Sequence, residues 1–123
     1  MFQLVGPNTG LGHNSVIFMI ENQVEYVVNC IKTMSKKGAK YMDINATVQK
    51  EFNDDIQERL KGTVWTSGCQ SWYQQADGRN MALWPGTTVR YQRELRNVDF
   101  DVYNWVDDTE VAVARGEHSA VIA

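Results

Sequence analysis

The stretch Gly10–Met34, GLGHNSVIFMIENQVEYVVNCIKTM, decides how this chain is read. It opens on two glycines, passes through His13, Asn14 and Ser15, and enters an apolar stripe at Ile17, Ile20, Val24, Val27, Ile31 and Met34. Steps of three and four residues keep those side chains on one side of a helix, so the spacing predicts a long helix over Val16–Met34. Such a helix is a rod of about 28 Å. Ser15 or Asn14 suits its N-cap, because a short side-chain oxygen can accept from an orphan amide of the first turn. Lys32, Lys36, Lys37 and Gly38 suit its C-terminus. Glu21 and Glu25 mark a wet flank, and the unbroken VIFMI run predicts a first turn and a half buried on every side.

Upstream, Phe2–Val5 reads as a short buried strand stopped by Gly6-Pro7. Strand, glycine turn and helix in that order raise the question of a phosphate-cradling loop, and Gly10-x-Gly12-x-x-Ser15 approaches G-x-G-x-x-G. Three features count against it. Ser15 replaces the last small residue, Pro7 sits inside the loop, and Asp43 lies too far along to be the ribose-binding acid. A tight turn with a capped helix accounts for the glycines, though not for Asn8, His13 and Asn14.

Downstream, KYMDIN is a strand candidate. Val48, Phe52, Ile56 and Leu60 then recur every four residues, which predicts an amphipathic helix ending at Gly62. TVW, CQSWYQQ and RNMALW read as strands, with the Asp-Gly of ADGR as a hairpin turn. Thr87, after Pro85-Gly86, caps a short helix through TVRYQRELR. Beyond Tyr103 the pattern decays, and residues 104–123 read as a loose tail. The expected fold is α+β: one long helix, a second amphipathic helix and a small antiparallel sheet.

Bulk properties narrow the class. A chain of 123 residues with 43% hydrophobic content suits one soluble domain. A net charge of -3 gives no electrostatic case for nucleic acid or an anionic membrane. The longest apolar run, Val16–Ile20, is too short to span a bilayer. Cys30 and Cys69 stand in no metal-ligand spacing and read as reduced thiols of a cytoplasmic protein. Cys69 has no neighbouring base and reads as a small buried residue. His13 and His118 have no partner in metal spacing either. Arg79, Arg90, Arg93 and Arg96 read as a solvated face, and Glu51, Asp54, Asp55 and Glu58 as the wet side of the second helix.

A resemblance gathers these pieces. GPNTGLGHNSVIFMIENQVEYVV, FNDDIQERLKGTVW, GCQSWY, GRN, LWPGTT and DFDVY follow one another in an order that resembles the late part of the FAD- and NAD(P)H-dependent monooxygenases of Baeyer–Villiger type. The resemblance is to the hydroxyacetophenone and cyclohexanone monooxygenase-like group, and it covers Phe2–Tyr103. It implies a C-terminal segment that completes the FAD domain of a larger enzyme with two dinucleotide domains. The family's two G-x-G-x-x-G loops and its F-x-G-x-x-x-H-x-x-x-W signature belong upstream of this part.

By that resemblance the cofactors are FAD and NADPH. The partners are O2 with a ketone or a heteroatom substrate and, if the gene is split, a separate N-terminal polypeptide. Gly6, Pro7, Asn8, Gly12, His13, Asn14 and Ser15 are implied as the flavin-facing loop and helix N-terminus. Ser71 and Trp72 are implied near the nicotinamide or substrate. No residue is assigned as catalytic, and His13 is expected to position by hydrogen bonding. The chain alone is expected to be inactive. Two rival readings remain: an aromatic platform of Trp65, Trp72, Tyr73 and Trp84 for sugars or a peptide, and a functionless truncated product. On residue type alone, Trp72 reads as sheet core beside Trp65 and Trp84.

Overall fold

The fold is described from a computed structural model, over residues 1–66 and 71–107. It has three helices and a two-stranded antiparallel sheet: α1 (Val16–Lys37), β1 (Tyr41–Ile44), α2 (Ala46–Leu60), α3 (Thr88–Arg96) and β2 (Tyr103–Val106). Cys69, Gln70 and the segment from Asp108 onward, including His118, lie outside the described residues.

Each helix begins on the side chain its sequence offers. Ser15 Oγ accepts from Phe18 N, Asn45 Oδ1 from Thr47 N, and Thr87 Oγ1 from Arg90 N. α1 runs three residues past Met34 and ends at Gly38, whose φ of 66° places it in the left-handed region. There the amides of Gly38 and Ala39 donate to the carbonyls of Ser35 and Met34, so the last turn is closed without a side chain.

The KYMDIN segment supplies one strand of the sheet, β1, as expected, but its partner is not where the sequence pattern put it. β1 pairs with β2, Tyr41 opposite Val106 and Ile44 opposite Tyr103, so the chain closes across about sixty residues rather than through a local meander. Asn104, Trp105 and Val106 are therefore strand, although they fall in the segment read as tail. TVW is part of a single 3-10 turn at Val64–Thr66. The SWYQQ and RNMALW segments make only isolated bridges, Gln74 with Asn80 and Gly10 with Leu83. Gly78, at φ 83°, forms the expected tight turn between the first pair. Phe2–Val5 forms no strand; Leu4 and Val5 lie in a turn, and Val5 sits at φ 54° with its amide donating to Gln23 Oε1 at 2.7 Å. A β-branched residue avoids that region on steric grounds, and the Gln23 bond is what holds it there.

The core is Leu11, Met19, Ile56, Leu60, Trp84 and Tyr91, with Trp65 and Leu95 against it. α3 crosses α1, tied by Gln23 Nε2 donating to Tyr91 Oη at 2.7 Å. α1 corrects one expectation outright. Its buried residues are Met19, Asn22, Gln23 and Cys30, whereas Ile17, Val24 and Ile31 of the apolar stripe are 69%, 44% and 53% exposed. The buried face and the stripe are about a third of a turn apart. The VIFMI run is thus buried only at Met19, with Val16 and Ile17 open.

Candidate functional site

The loop Gly6–Ser15 is fastened by backbone and amide bonds to the turn Asn80–Trp84. Asn8 N donates to Met81 O, Gly10 N to Ala82 O, and Trp84 N to Gly10 O, at 3.0, 2.9 and 2.7 Å. Asn8 sits at φ 56°, a region asparagine tolerates, and is buried. Its Nδ2 donates to the carbonyls of Asn80 and Leu83 at 2.8 and 3.0 Å. Asn80, also buried, accepts with Oδ1 from the amides of Ala82 and Leu83. Gln57 of α2 closes the knot from behind, donating to Asn80 O at 2.9 Å and accepting from Asn80 N at 3.1 Å. These bonds give Asn8 the purpose that a plain turn does not.

The glycines have equally local reasons. A Cβ on Gly10 would stand 3.0 Å from Ala82 O, and one on Gly12 3.1 Å from the Trp65 ring. Both glycines are favoured by the chain's own close approaches, since a methyl at either would have to displace its neighbour, and neither approach involves a pyrophosphate. His13 is exposed and stacks nearly parallel to Trp65, with ring centroids 6.4 Å apart. Trp65 meets Tyr73 edge-on at 5.9 Å, and Tyr73 meets Trp72 edge-on at 5.7 Å. A row of four rings thus runs from the helix-capping loop to Trp72.

Trp72 itself is 86% exposed, so it is not sheet core. Trp84 is buried, and Trp65 and Tyr73 are half-buried, which removes the four-ring platform. Trp72 instead borders a cavity of about 450 Å³ together with Gly6, Pro7, Gly12, Val16 and Leu83. Four of the nine residues singled out from the sequence therefore line one space, with the first residue of α1 at its edge. Asn8 holds the loop from within, while Asn14 and Ser15 are exposed at the cap and Ser71 is half-buried beside Trp72. The amides of Val16 and Ile17 have no acceptor within an α-helix. A second, strongly apolar cavity of about 350 Å³ lies across Pro7–Thr9, between α2, α3 and β2, where the Tyr26 and Tyr103 hydroxyls meet.

Burial raises the phenols of Tyr91 and Tyr103 above their ordinary range, with the Gln23 bond opposing the shift at Tyr91. Burial also raises the Cys30 thiol above its ordinary range. Among the described residues no three His, Cys, Asp or Glu side chains come together to hold a metal, and no helix is long and apolar enough to cross a membrane. Sequence reading missed Gln57 and Asn80, and named Trp65 without its contacts to Gly12 and His13. GRN and TVW were visible as segments, but their long-range partners carry no local signal.

Comparison with known proteins places this chain in a class. It is homologous to one segment of FAD-binding monooxygenases, Baeyer–Villiger monooxygenases among them. Over 106 residues it is 42% identical to a Baeyer–Villiger monooxygenase of Pseudomonas aeruginosa, covering 85% of this chain and 20% of that protein. A Baeyer–Villiger monooxygenase of Streptomyces coelicolor is 44% identical over 102 residues, 81% of this chain and 20% of its own length. An FAD-binding monooxygenase of Aspergillus niger is 38% identical across 98% of this chain and 19% of its own. The chain thus spans about a fifth of the length of these relatives. Its fold matches part of an oxidised steroid monooxygenase bound to NADP with a TM-score of 0.72 at 18% identity, over 86% of this chain and 20% of that one. No family model matches.

Proposed function

We propose that the chain is the C-terminal segment of an FAD- and NADPH-dependent monooxygenase, completing its FAD domain and one wall of its active site. The observation that carries this is the single cavity lined by Gly6, Pro7, Gly12 and Trp72 at the N-terminus of α1. An apolar recess beside a helix start fits the edge of a planar, partly anionic ring. Bound flavin, reduced by NADPH, supplies the oxygen-activating chemistry for insertion beside a ketone or for heteroatom oxidation. The chain's own residues hold and shape. Free amides at Val16 and Ile17, with the positive end of the helix, favour negative charge on the ring. Asn8, Asn80 and Gln57 keep the loop rigid, which such preorganisation requires.

His13 keeps the loop against Trp65 and takes no proton-transfer role. Trp72 offers a flat apolar wall with one N–H donor at the cavity mouth, on the side assigned to nicotinamide or substrate. Ser71, its neighbour, belongs to the same wall.

The test replaces the matched segment of the Pseudomonas aeruginosa relative with this chain. The chimera is expected to retain FAD through gel filtration and to oxidise NADPH in a ketone- or sulfide-dependent way. The free chain with added FAD and NADPH is expected to do neither. A folded chimera without FAD, or a free chain that turns over, would sink the reading.

A further inference from the structure

Three faces run along α1, and two are accounted for within the chain. Met19, Gln23 and Cys30 face the core, with Gln23 bonded to Tyr91 of α3. Glu21, Glu25, Lys32 and Lys36 are exposed and charged. The third face is the stripe, on which Ile17, Val24, Val28 and Ile31 are all open to solvent. Ile17, Val24 and Ile31 are seven residues apart, with Ile20 and Val27 between them and Met34 beyond, at steps of three and four. That is the seam pattern which accepts a second helix lying about 20° off parallel at roughly 8–10 Å.

We propose that this stripe is the seam on which a helix from the remaining four-fifths of the enzyme packs. The proposal rests on the functional reading above, and two observations choose the occupant over a second copy of the chain. The relatives carry most of their length outside the matched segment. The stripe is also continuous with the site: Ile17 follows Val16, which lines the cavity. A body that closes the cavity therefore lies along the stripe as well.

The same chimera tests it, read by folding and not by turnover. Val24→Asp and Ile31→Asp are expected to cut the yield of folded, soluble chimera about tenfold or more, because an unpaired carboxylate cannot be buried in an apolar seam. Glu25→Gln and Lys32→Gln, on the charged face, are expected to leave it unchanged. In the free chain, Val24→Asp is expected to leave the urea midpoint in place, since the site is open to water there. This second measurement separates loss of the seam from damage to the helix.

A chimera that tolerates Val24→Asp as well as Glu25→Gln overturns the proposal. So does a chimera that fails to fold although the relative folds. A free chain that sediments as a dimer and is made monomeric by Val24→Asp assigns the stripe to a second copy, which also overturns it. A chimera that folds through the stripe but holds no FAD refutes the functional reading and leaves the seam standing.

Discussion

The knot between Asn8 and Asn80–Trp84 and the outward stripe of α1 are opposite kinds of surface. The knot is polar in its chemistry yet buried, with Asn8 bonded to carbonyls more than seventy residues away in sequence and Asn80 Oδ1 to the amides just beyond it. The stripe is apolar in its chemistry yet exposed. A buried polar group is tolerated where its hydrogen bonds are supplied, and an exposed apolar face marks a contact still to be made. The first region is largely closed by this chain, apart from Asn80 Nδ2, which is buried without a partner among the described residues, and the second is left open by them.

The sharpest way to break that contrast is a pair of truncations on two helices. Ile56→Ala, at a fully buried site of α2, is expected to cost about 2–5 kcal/mol in urea unfolding of the free chain. Ile31→Ala is expected to stay within about 0.5 kcal/mol, as exposed substitutions do. Equal costs would mean that the stripe is buried in the free protein.

Asn8→Ala comes next, at about 1–3 kcal/mol, because it leaves the carbonyls of Asn80 and Leu83 without their donor. Asn8→Gly keeps the backbone geometry and loses the same bonds, so a similar cost for both variants assigns the effect to hydrogen bonding. Gly12→Ala is smaller, about 1 kcal/mol, since the new methyl must push the Trp65 ring edge aside. Near-ultraviolet circular dichroism reports that shift, and an unchanged aromatic signal would deny the close approach.

Alkaline pH probes the opposite side of the core. The folded-state pKa values of Tyr91 and Tyr103 are raised, so their neutral forms are favoured. Stability is therefore full below about pH 10, the unfolded phenol value, and falls as pH rises towards the folded values. Tyr91→Phe is expected to flatten part of that fall while losing the bond from Gln23. A stability that rises above pH 10 would contradict the burial. Lys50→Ala is expected to change nothing measurable, since the Lys50–Asp54 pair is solvent-exposed.

Much of the candidate site was legible from local chemistry. Ser15 and Thr87 were readable as caps because a cap needs only a side chain and the next three amides. The glycine loop was readable as a turn and not a pyrophosphate cradle, and the close approaches of Ala82 O and Trp65 supply the reason for its glycines. The error at Trp72 has a physical cause: an aromatic residue in an alternating segment reads as core unless its neighbours on the other face are known. The misplaced sheet has a similar one, since strand pairing across sixty residues leaves no short-range mark.

Periodicity by itself determined that this chain contains a long helix with an apolar stripe and a second amphipathic helix, and the cap at Thr87 a short third one. Motif order by itself determined the resemblance to a monooxygenase segment. Only the tertiary structure decided which way the stripe faces, which side chains knot the loop, and that Gly6, Pro7, Gly12 and Trp72 share one cavity. A hydrophobic pattern records that a face is to be buried. The partner that buries it is set by packing, and for α1 the described residues of this chain do not provide one.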